Sequence, residues 1–154
     1  MNIVTIITLA VFGAYALHIG LIPSISDSYR TTDKRIYHGF FALASLLIWF
    51  QHYYNYKPVV KELFILAGFF LFMVSVAASF WKEKEKIIHP IVTYTAIIVG
   101  MSCVVIQFWF SWMAIVPVVV LIGGAVLLRK VKNATLWIEY LTVLCIFIPL
   151  IPKP

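Results

Sequence analysis

The chain has 154 residues, of which 63% are hydrophobic and only 12% are charged, and its mean hydropathy is +1.00. A soluble domain carries charges on about a quarter of its residues, so this composition excludes an ordinary water-exposed surface and predicts one covered by lipid. The net charge of +6 does not indicate nucleic-acid binding, because the basic residues lie in short segments beside apolar runs and form no basic face.

The first half of the chain contains three apolar runs that are each about long enough to cross a membrane as a helix. They cover residues 2–22, 36–54 and 60–81. The first run lacks a basic leader segment, so we expect a retained helix and no cleaved signal peptide. Thr32 or Asp33 is the expected N-cap of the second helix. A charged connector, KEKEK, follows the third.

The second half has no charge over the 42 residues between Lys86 and Arg129, which is about twice the length of one crossing. We therefore expect two helices, at 87–106 and 112–128, with the aromatic segment QFWFSW as the turn. A last helix is expected at 134–151. The sequence thus predicts an all-α fold: one domain, residues 1–154, forming a polytopic transmembrane bundle of six helices. Five helices remain an alternative if one segment is re-entrant.

Basic residues are concentrated at one end of the predicted bundle, the end that carries residues 23–35, which we call the loop end. The loop end holds nine of them and the opposite end three, Lys57, Lys61 and Lys153. The nine are Arg30, Lys34, Arg35, Lys82, Lys84, Lys86, Arg129, Lys130 and Lys132. By the positive-inside rule the loop end is cytoplasmic and both termini lie outside, as expected for a protein of the bacterial inner membrane.

Four titratable residues lie inside the apolar runs, where a charge is costly and therefore indicates function or a polar partner. They are His18, His38, His89 and Glu139. Counting along each helix places all four at a similar depth near the loop end. We predict that they converge, although histidines near helix ends also commonly reach interfacial water.

The segment Pro23 to Arg30, PSISDSYR, lies at the same end and is the expected wall or lid of this pocket. Its serines are suited to bonding the local backbone, and the plain alternative is a turn that binds nothing. The predicted ligand-binding residues are Ser26, Asp27, Tyr29, His38, His89 and Glu139.

Longer stretches resemble known membrane proteins. IPSISDSYR followed by YHGFFALASLLIWFQHYYNYK resembles the first loop and second helix of the Frag/DRAM/Sfk type of six-span proteins. VSVAASFWKEKEKIIHP (74–90) and WIEY (137–140) bring the chain nearer to small uncharacterised six-span proteins of gut Bacteroidetes and their phages. The resemblance implies a six-helix bundle, no agreed reaction, and attention to Ser26, Asp27, Tyr29, His89 and Glu139. One departure concerns orientation, since a DRAM-type first loop is expected outside the cytoplasm.

Three functions fit these residues. The favoured one is a membrane protein that binds a lipid headgroup or a small polar ligand, with membrane lipids and a second copy of itself as partners. The second is a lipid hydrolase of the ceramidase/adiponectin-receptor kind, with zinc held by His18, His38, His89 and Glu139. The chain lacks the late His-x-x-x-His of those enzymes. The third is a proton- or ion-coupled transporter, for which no polar track crosses the predicted midplane.

Overall fold

The computed structural model describes residues 2–21, 24–26, 28–54, 56–80, 85–109 and 111–151. Over these residues the protein is all-helical, with six α-helices and no strand, which confirms the predicted fold class. The helices are α1 (Ile3–Ile19), α2 (Lys34–Phe50), α3 (Pro58–Phe80), α4 (Glu85–Gln107), α5 (Trp112–Leu128) and α6 (Ala134–Phe147).

Polar residues set where the helices begin. Asn2, Asp33 and Ser111 precede α1, α2 and α5, and each side chain accepts a hydrogen bond from a backbone N–H in the first turn. This arrangement satisfies a donor that has no partner within the helix. The predicted cap of α2 is therefore Asp33 and not Thr32. At the other end of α1 the chain turns at Gly20, whose φ of +65° favours glycine.

Helix α3 lies between α2 and α4, while α1 packs on α2 and α6, and α5 packs on α6 and α4. Aromatic residues fill the core near the loop end, where the rings of Tyr15 and Phe40 stack with centroids 3.8 Å apart. A second group fills the opposite end, including Tyr56, Phe64 and Phe147. The two groups give the bundle a continuous apolar interior along its axis.

A polar network at the opposite end ties the start of α1 to the segment that follows α2. The Asn2 amide donates to Gln51 Oε1 at 2.8 Å and to the Tyr56 hydroxyl at 2.5 Å. Tyr56 donates in turn to Gln51 Oε1 at 3.2 Å, and Thr5 donates to the same oxygen at 3.3 Å. All four side chains are buried, so each hydrogen bond offsets the cost of removing its groups from water.

Two helices are long and apolar enough to cross a membrane: α3 over Pro58–Ala77, with a mean hydropathy of 2.2, and α4 over Ile87–Gln107, with 1.8. Only 33% and 28% of these spans are buried inside the protein. A helix that is apolar all round belongs in a protein core or in lipid, and these are mostly outside the core. Helices α1, α5 and α6 are shorter and also apolar.

Candidate binding site at the loop end

Glu139, in the second turn of α6, is held by the segment between α1 and α2. Its Oε1 accepts hydrogen bonds from the hydroxyls of Ser24, at 2.9 Å, and Ser26, at 2.7 Å. Its Oε2 accepts from the backbone N–H of Ile25, at 2.5 Å, and of Ser26, at 3.4 Å. A carboxylate offers about four lone-pair sites, so these four donors occupy its accepting capacity. The buried carboxylate thus has the polar partners that its location requires.

Further hydrogen bonds tie this segment to α1 and α2. The hydroxyls of Tyr15 and Ser28 are 2.6 Å apart, and Ser28 Oγ also donates to the Ile25 carbonyl at 2.7 Å. The Tyr37 hydroxyl donates to the Ser26 carbonyl at 3.1 Å. The segment is therefore a packed wall that is anchored to three helices, α1, α2 and α6.

A cavity of about 490 Å³, which we call the head cavity, lies between this wall and helices α4, α5 and α6. Its volume lies within the range of small-ligand sites. Its lining combines basic, hydroxyl and apolar side chains: Ser24, Ser26, Arg30, His89, Pro90, Thr93, Tyr94, Ile97, Ala125, Thr135, Ile138 and Glu139.

An arginine, a tyrosine and a histidine lie together at the head cavity. The exposed guanidinium of Arg30 lines the cavity and is oriented by Tyr29, whose hydroxyl accepts from Arg30 Nε at 3.0 Å. The Tyr29 ring lies 6.1 Å from the ring of His89, which is only 5% exposed. A guanidinium offers only N–H donors, whereas the oxygens of Glu139 already accept from the wall. The head cavity therefore presents a guanidinium beside a buried imidazole.

Thr93 lies one helical turn beyond His89, on the same face of α4. Its hydroxyl oxygen is buried and has no hydrogen-bond partner within the described part of the chain. A buried hydroxyl without a partner is costly, so it is a candidate to bond a ligand or a water molecule. His89, Thr93 and Ile97 repeat every four residues and together form the α4 wall of the head cavity.

A second cavity, the inner cavity, lies in the centre of the bundle and has a volume of about 100 Å³. Ser26, Thr93, Ile97 and Glu139 line both cavities, so these four residues form the boundary between them. Beyond that boundary the wall is almost entirely apolar, and it extends along α3 from Val74 to Phe64.

The structure brings together part of the predicted ligand set. Ser26, His89 and Glu139 line the head cavity, and Tyr29 contacts its arginine. His38 lines neither cavity, and its Nδ1 lies 2.6 Å from the hydroxyl of Ser75 on α3. The predicted position of Asp27 lies outside the described residues.

The predicted zinc ligands are not assembled. Within the described ranges, no three His, Cys, Asp or Glu side chains form a group that could hold a metal ion. His18 is exposed on α1, His38 faces Ser75, and the carboxylate of Glu139 is occupied by the wall. The sequence places these residues at one depth, but depth does not fix the direction in which each leaves its helix.

Ser24 and Arg30 belong to the predicted wall, Pro23 to Arg30, but they are not among the predicted ligand-binding residues, and Thr93 was not predicted at all. The spacing of His89, Thr93 and Ile97 in the sequence places them on one helix face, and that signal could have identified Thr93.

Comparison of the chain with models of known protein families, with curated proteins and with solved structures finds no match.

Proposed function

We propose that this chain is a six-span membrane protein that binds an anionic headgroup in the head cavity, with the loop end facing the cytoplasm. The observation that carries the proposal is the cavity of about 490 Å³ in which Arg30 and His89 line the wall, while the oxygens of Glu139 already accept hydrogen bonds from the segment between α1 and α2.

Exposed apolar surface supports a membrane location for more than the two longest helices. Leu17 on α1 is 87% exposed, Leu127 on α5 is 76% exposed and Ile122 on the same helix is 62% exposed. Water would disfavour this much apolar surface on so many helices, whereas lipid tails accept it. The sequence assigns nine basic residues to the loop end and three to the opposite end, which favours a cytoplasmic loop end.

The chemistry of the cavity favours a phosphate or a similar anion. A guanidinium forms paired, charge-assisted hydrogen bonds with phosphate oxygens. The hydroxyl of Thr93 adds a further donor at the inner boundary. Lys34, Arg35 and Lys130, which are exposed at the same end, raise the local concentration of anions.

The two other functions have less support. A zinc hydrolase needs ligands that lie together, and the predicted four do not. A proton or ion pathway needs polar groups beyond the head cavity, whereas the inner cavity is lined mainly by apolar side chains.

Binding of phosphatidic acid in nanodiscs tests the proposal. Arg30→Gln removes the guanidinium from the cavity wall, and we expect at least tenfold weaker retention of this lipid, as measured by native mass spectrometry. Lys130→Gln is the matched control, because Lys130 is exposed at the same end and does not line the cavity. Equal retention by wild type and Arg30→Gln, or an equal loss in both variants, would contradict the proposal.

Orientation is tested by labelling introduced cysteines from each side of the membrane. Lys132→Cys places a thiol at the loop end and Tyr53→Cys places one at the opposite end, and both positions are exposed. The two native cysteines are buried, so they contribute little background. We expect an impermeant maleimide added to intact cells to label Tyr53→Cys and not Lys132→Cys. The reverse pattern would overturn the proposed orientation.

A further inference from the structure

We infer that the inner cavity is a second binding site, which takes a small neutral alcohol. The hydroxyl of this alcohol bonds Thr93, and its short apolar part lies among the side chains at the centre of the bundle. The inference goes beyond the proposed headgroup site and does not depend on it.

The first observation concerns the hydroxyl of Thr93 on α4. Within a helix, a threonine without another partner commonly bonds the carbonyl four residues earlier. Thr8, Thr95 and Thr142 do so, at 2.8, 2.7 and 2.8 Å. Thr93 differs from them, because its buried Oγ1 has no hydrogen-bond partner among the described residues. An unused polar group therefore lies at the boundary between the two cavities.

The second observation is that the core of the protein encloses the inner cavity. Every described residue of its wall is buried or partly buried. Phe41, Phe64 and Val74 are 2%, 1% and 1% exposed. The head cavity, in contrast, has the exposed side chains of Arg30 and Thr135 in its wall. A small molecule therefore reaches the inner cavity from the loop end, through the head cavity.

The volume of the inner cavity limits the size of its ligand. It measures about 100 Å³, compared with the roughly 150 Å³ of an engineered cavity that holds one benzene. By proportion it holds about four non-hydrogen atoms, so an aromatic ring or a lipid chain is excluded. It also exceeds the roughly 30 Å³ that one water molecule occupies, so a short organic molecule fills it better than a single water does.

The wall of the inner cavity favours a ligand that is polar at one end only. Among its described residues beyond the boundary, the one polar residue is Thr142, whose hydroxyl already donates to the Ile138 carbonyl. The boundary carboxylate of Glu139 already accepts four hydrogen bonds. An ion here lacks partners, whereas a neutral alcohol needs only Thr93. A hydroxyl donates one hydrogen bond and accepts two, so Thr93 can bond the alcohol and still donate to a headgroup.

The test uses small fluorinated probes with the protein in nanodiscs of neutral phosphatidylcholine, and empty nanodiscs are the blank. Fluoroethanol has the permitted size and carries one hydroxyl, whereas fluoroethane lacks the hydroxyl. Fluorine NMR relaxation reports the binding of each probe. We expect saturable binding of fluoroethanol to the wild type and none to the blank. We also expect that para-fluorobenzyl alcohol, which is larger than benzene, does not displace it.

Thr93→Val tests the hydroxyl, because valine has nearly the same shape and no polar group. We expect this variant to bind fluoroethanol at least tenfold more weakly and fluoroethane as tightly as the wild type does. Thr95→Val is the matched control, because Thr95 lies on the same helix, lines neither cavity and already bonds its own helix. Without a probe, Thr93→Val should resist unfolding by sodium dodecyl sulfate at least as well as the wild type, because it removes a buried hydroxyl that has no partner.

Ala96→Leu tests the location, because Ala96 lines the inner cavity and not the head cavity. The larger side chain fills the space, so we expect both fluoroethanol and fluoroethane to bind at least tenfold more weakly. Ala14→Leu, at an exposed site on α1, adds the same bulk outside the cavity and should bind both probes as the wild type does.

Four results would overturn the inference. The first is binding of fluoroethanol to the wild type that does not exceed the blank, and the second is undiminished binding to Ala96→Leu. The third is an equal effect of Thr93→Val on fluoroethanol and fluoroethane, which removes the role of the hydroxyl. The fourth is a lower stability of Thr93→Val without a probe, which shows that a resident water already bonds Thr93. None of these results involves Arg30, so the proposed headgroup site is tested separately.

Discussion

Replacing Glu139 by alanine removes the acceptor of four hydrogen bonds that hold the wall of the head cavity against α6. The hydroxyls of Ser24 and Ser26 are already 2.7 Å apart, so they can turn to each other and lose little. The backbone N–H groups of Ile25 and Ser26 cannot turn. Each buried donor left without a partner costs about 1–3 kcal/mol, and two such donors remain. Water from the adjacent cavity can bond to them and reduce this cost, so we expect Glu139→Ala to destabilise the protein by about 2–3 kcal/mol.

Glutamine at the same position is the informative comparison. Its carbonyl oxygen can accept from the two backbone N–H groups, and its amide can donate to the serine oxygens, which also accept. We therefore expect Glu139→Gln to cost about 1 kcal/mol, clearly less than alanine. Glu62→Ala, on the exposed face of α3, is the matched control and should stay within about 0.5 kcal/mol of the wild type.

The free energies are measured by titrating dodecylmaltoside-solubilised protein with sodium dodecyl sulfate and following tryptophan fluorescence. Hydrogen exchange of the Ile25 and Ser26 amides gives an independent readout, because both should exchange faster in the alanine variant. The reasoning is refuted if Glu139→Ala is as stable as the wild type, or if glutamine is as damaging as alanine.

Three further predictions concern the rest of the bundle. Burial raises the pKa of Tyr56 to about 12, above its ordinary value near 10, so the folded state holds the phenol proton more tightly. This contribution to the stability of the folded state is complete below about pH 10 and is lost as the pH rises towards 12. Circular dichroism should therefore show that the wild type loses helical structure more steeply with rising pH than Tyr56→Phe does. Equal slopes for the two proteins would contradict this prediction. Asn2→Ala removes the amide that donates to both Gln51 and Tyr56. It should lower the free energy of unfolding by about 1–3 kcal/mol in the same detergent titration. An unchanged free energy would show that the polar network does not stabilise the fold. Gly68→Ala places a methyl group 2.4 Å from the Trp49 ring, so a loss of about 1–3 kcal/mol is expected, and an unchanged titration midpoint would contradict this close approach.

Much of the fold could be predicted, because the pattern of hydropathy and charge along the sequence indicates where each helix lies. Apolar runs and the charges that separate them located all six helices, and Asp33 caps α2 as its position before an apolar run suggested. Helix starts were less accurate. The helix predicted at 87–106 begins two residues earlier, at Glu85, and Pro90 lies inside it.

The site was harder to predict, because it depends on direction as well as depth. His18 and His89 lie near the same end of the bundle, yet His18 is exposed and His89 is buried, with only 5% of its surface exposed. The angle of a side chain about its helix follows from how that helix packs, which a single sequence does not specify. A partner for the buried Glu139 could be expected, but the use of two backbone N–H groups from a distant segment could not.

The most direct test of the account is a structure of the protein in nanodiscs that contain phosphatidic acid. The account predicts density for the phosphate in the head cavity beside Arg30 and His89. Phosphatidic acid found only around the outward faces of the helices, with no phosphate in the head cavity, would contradict it.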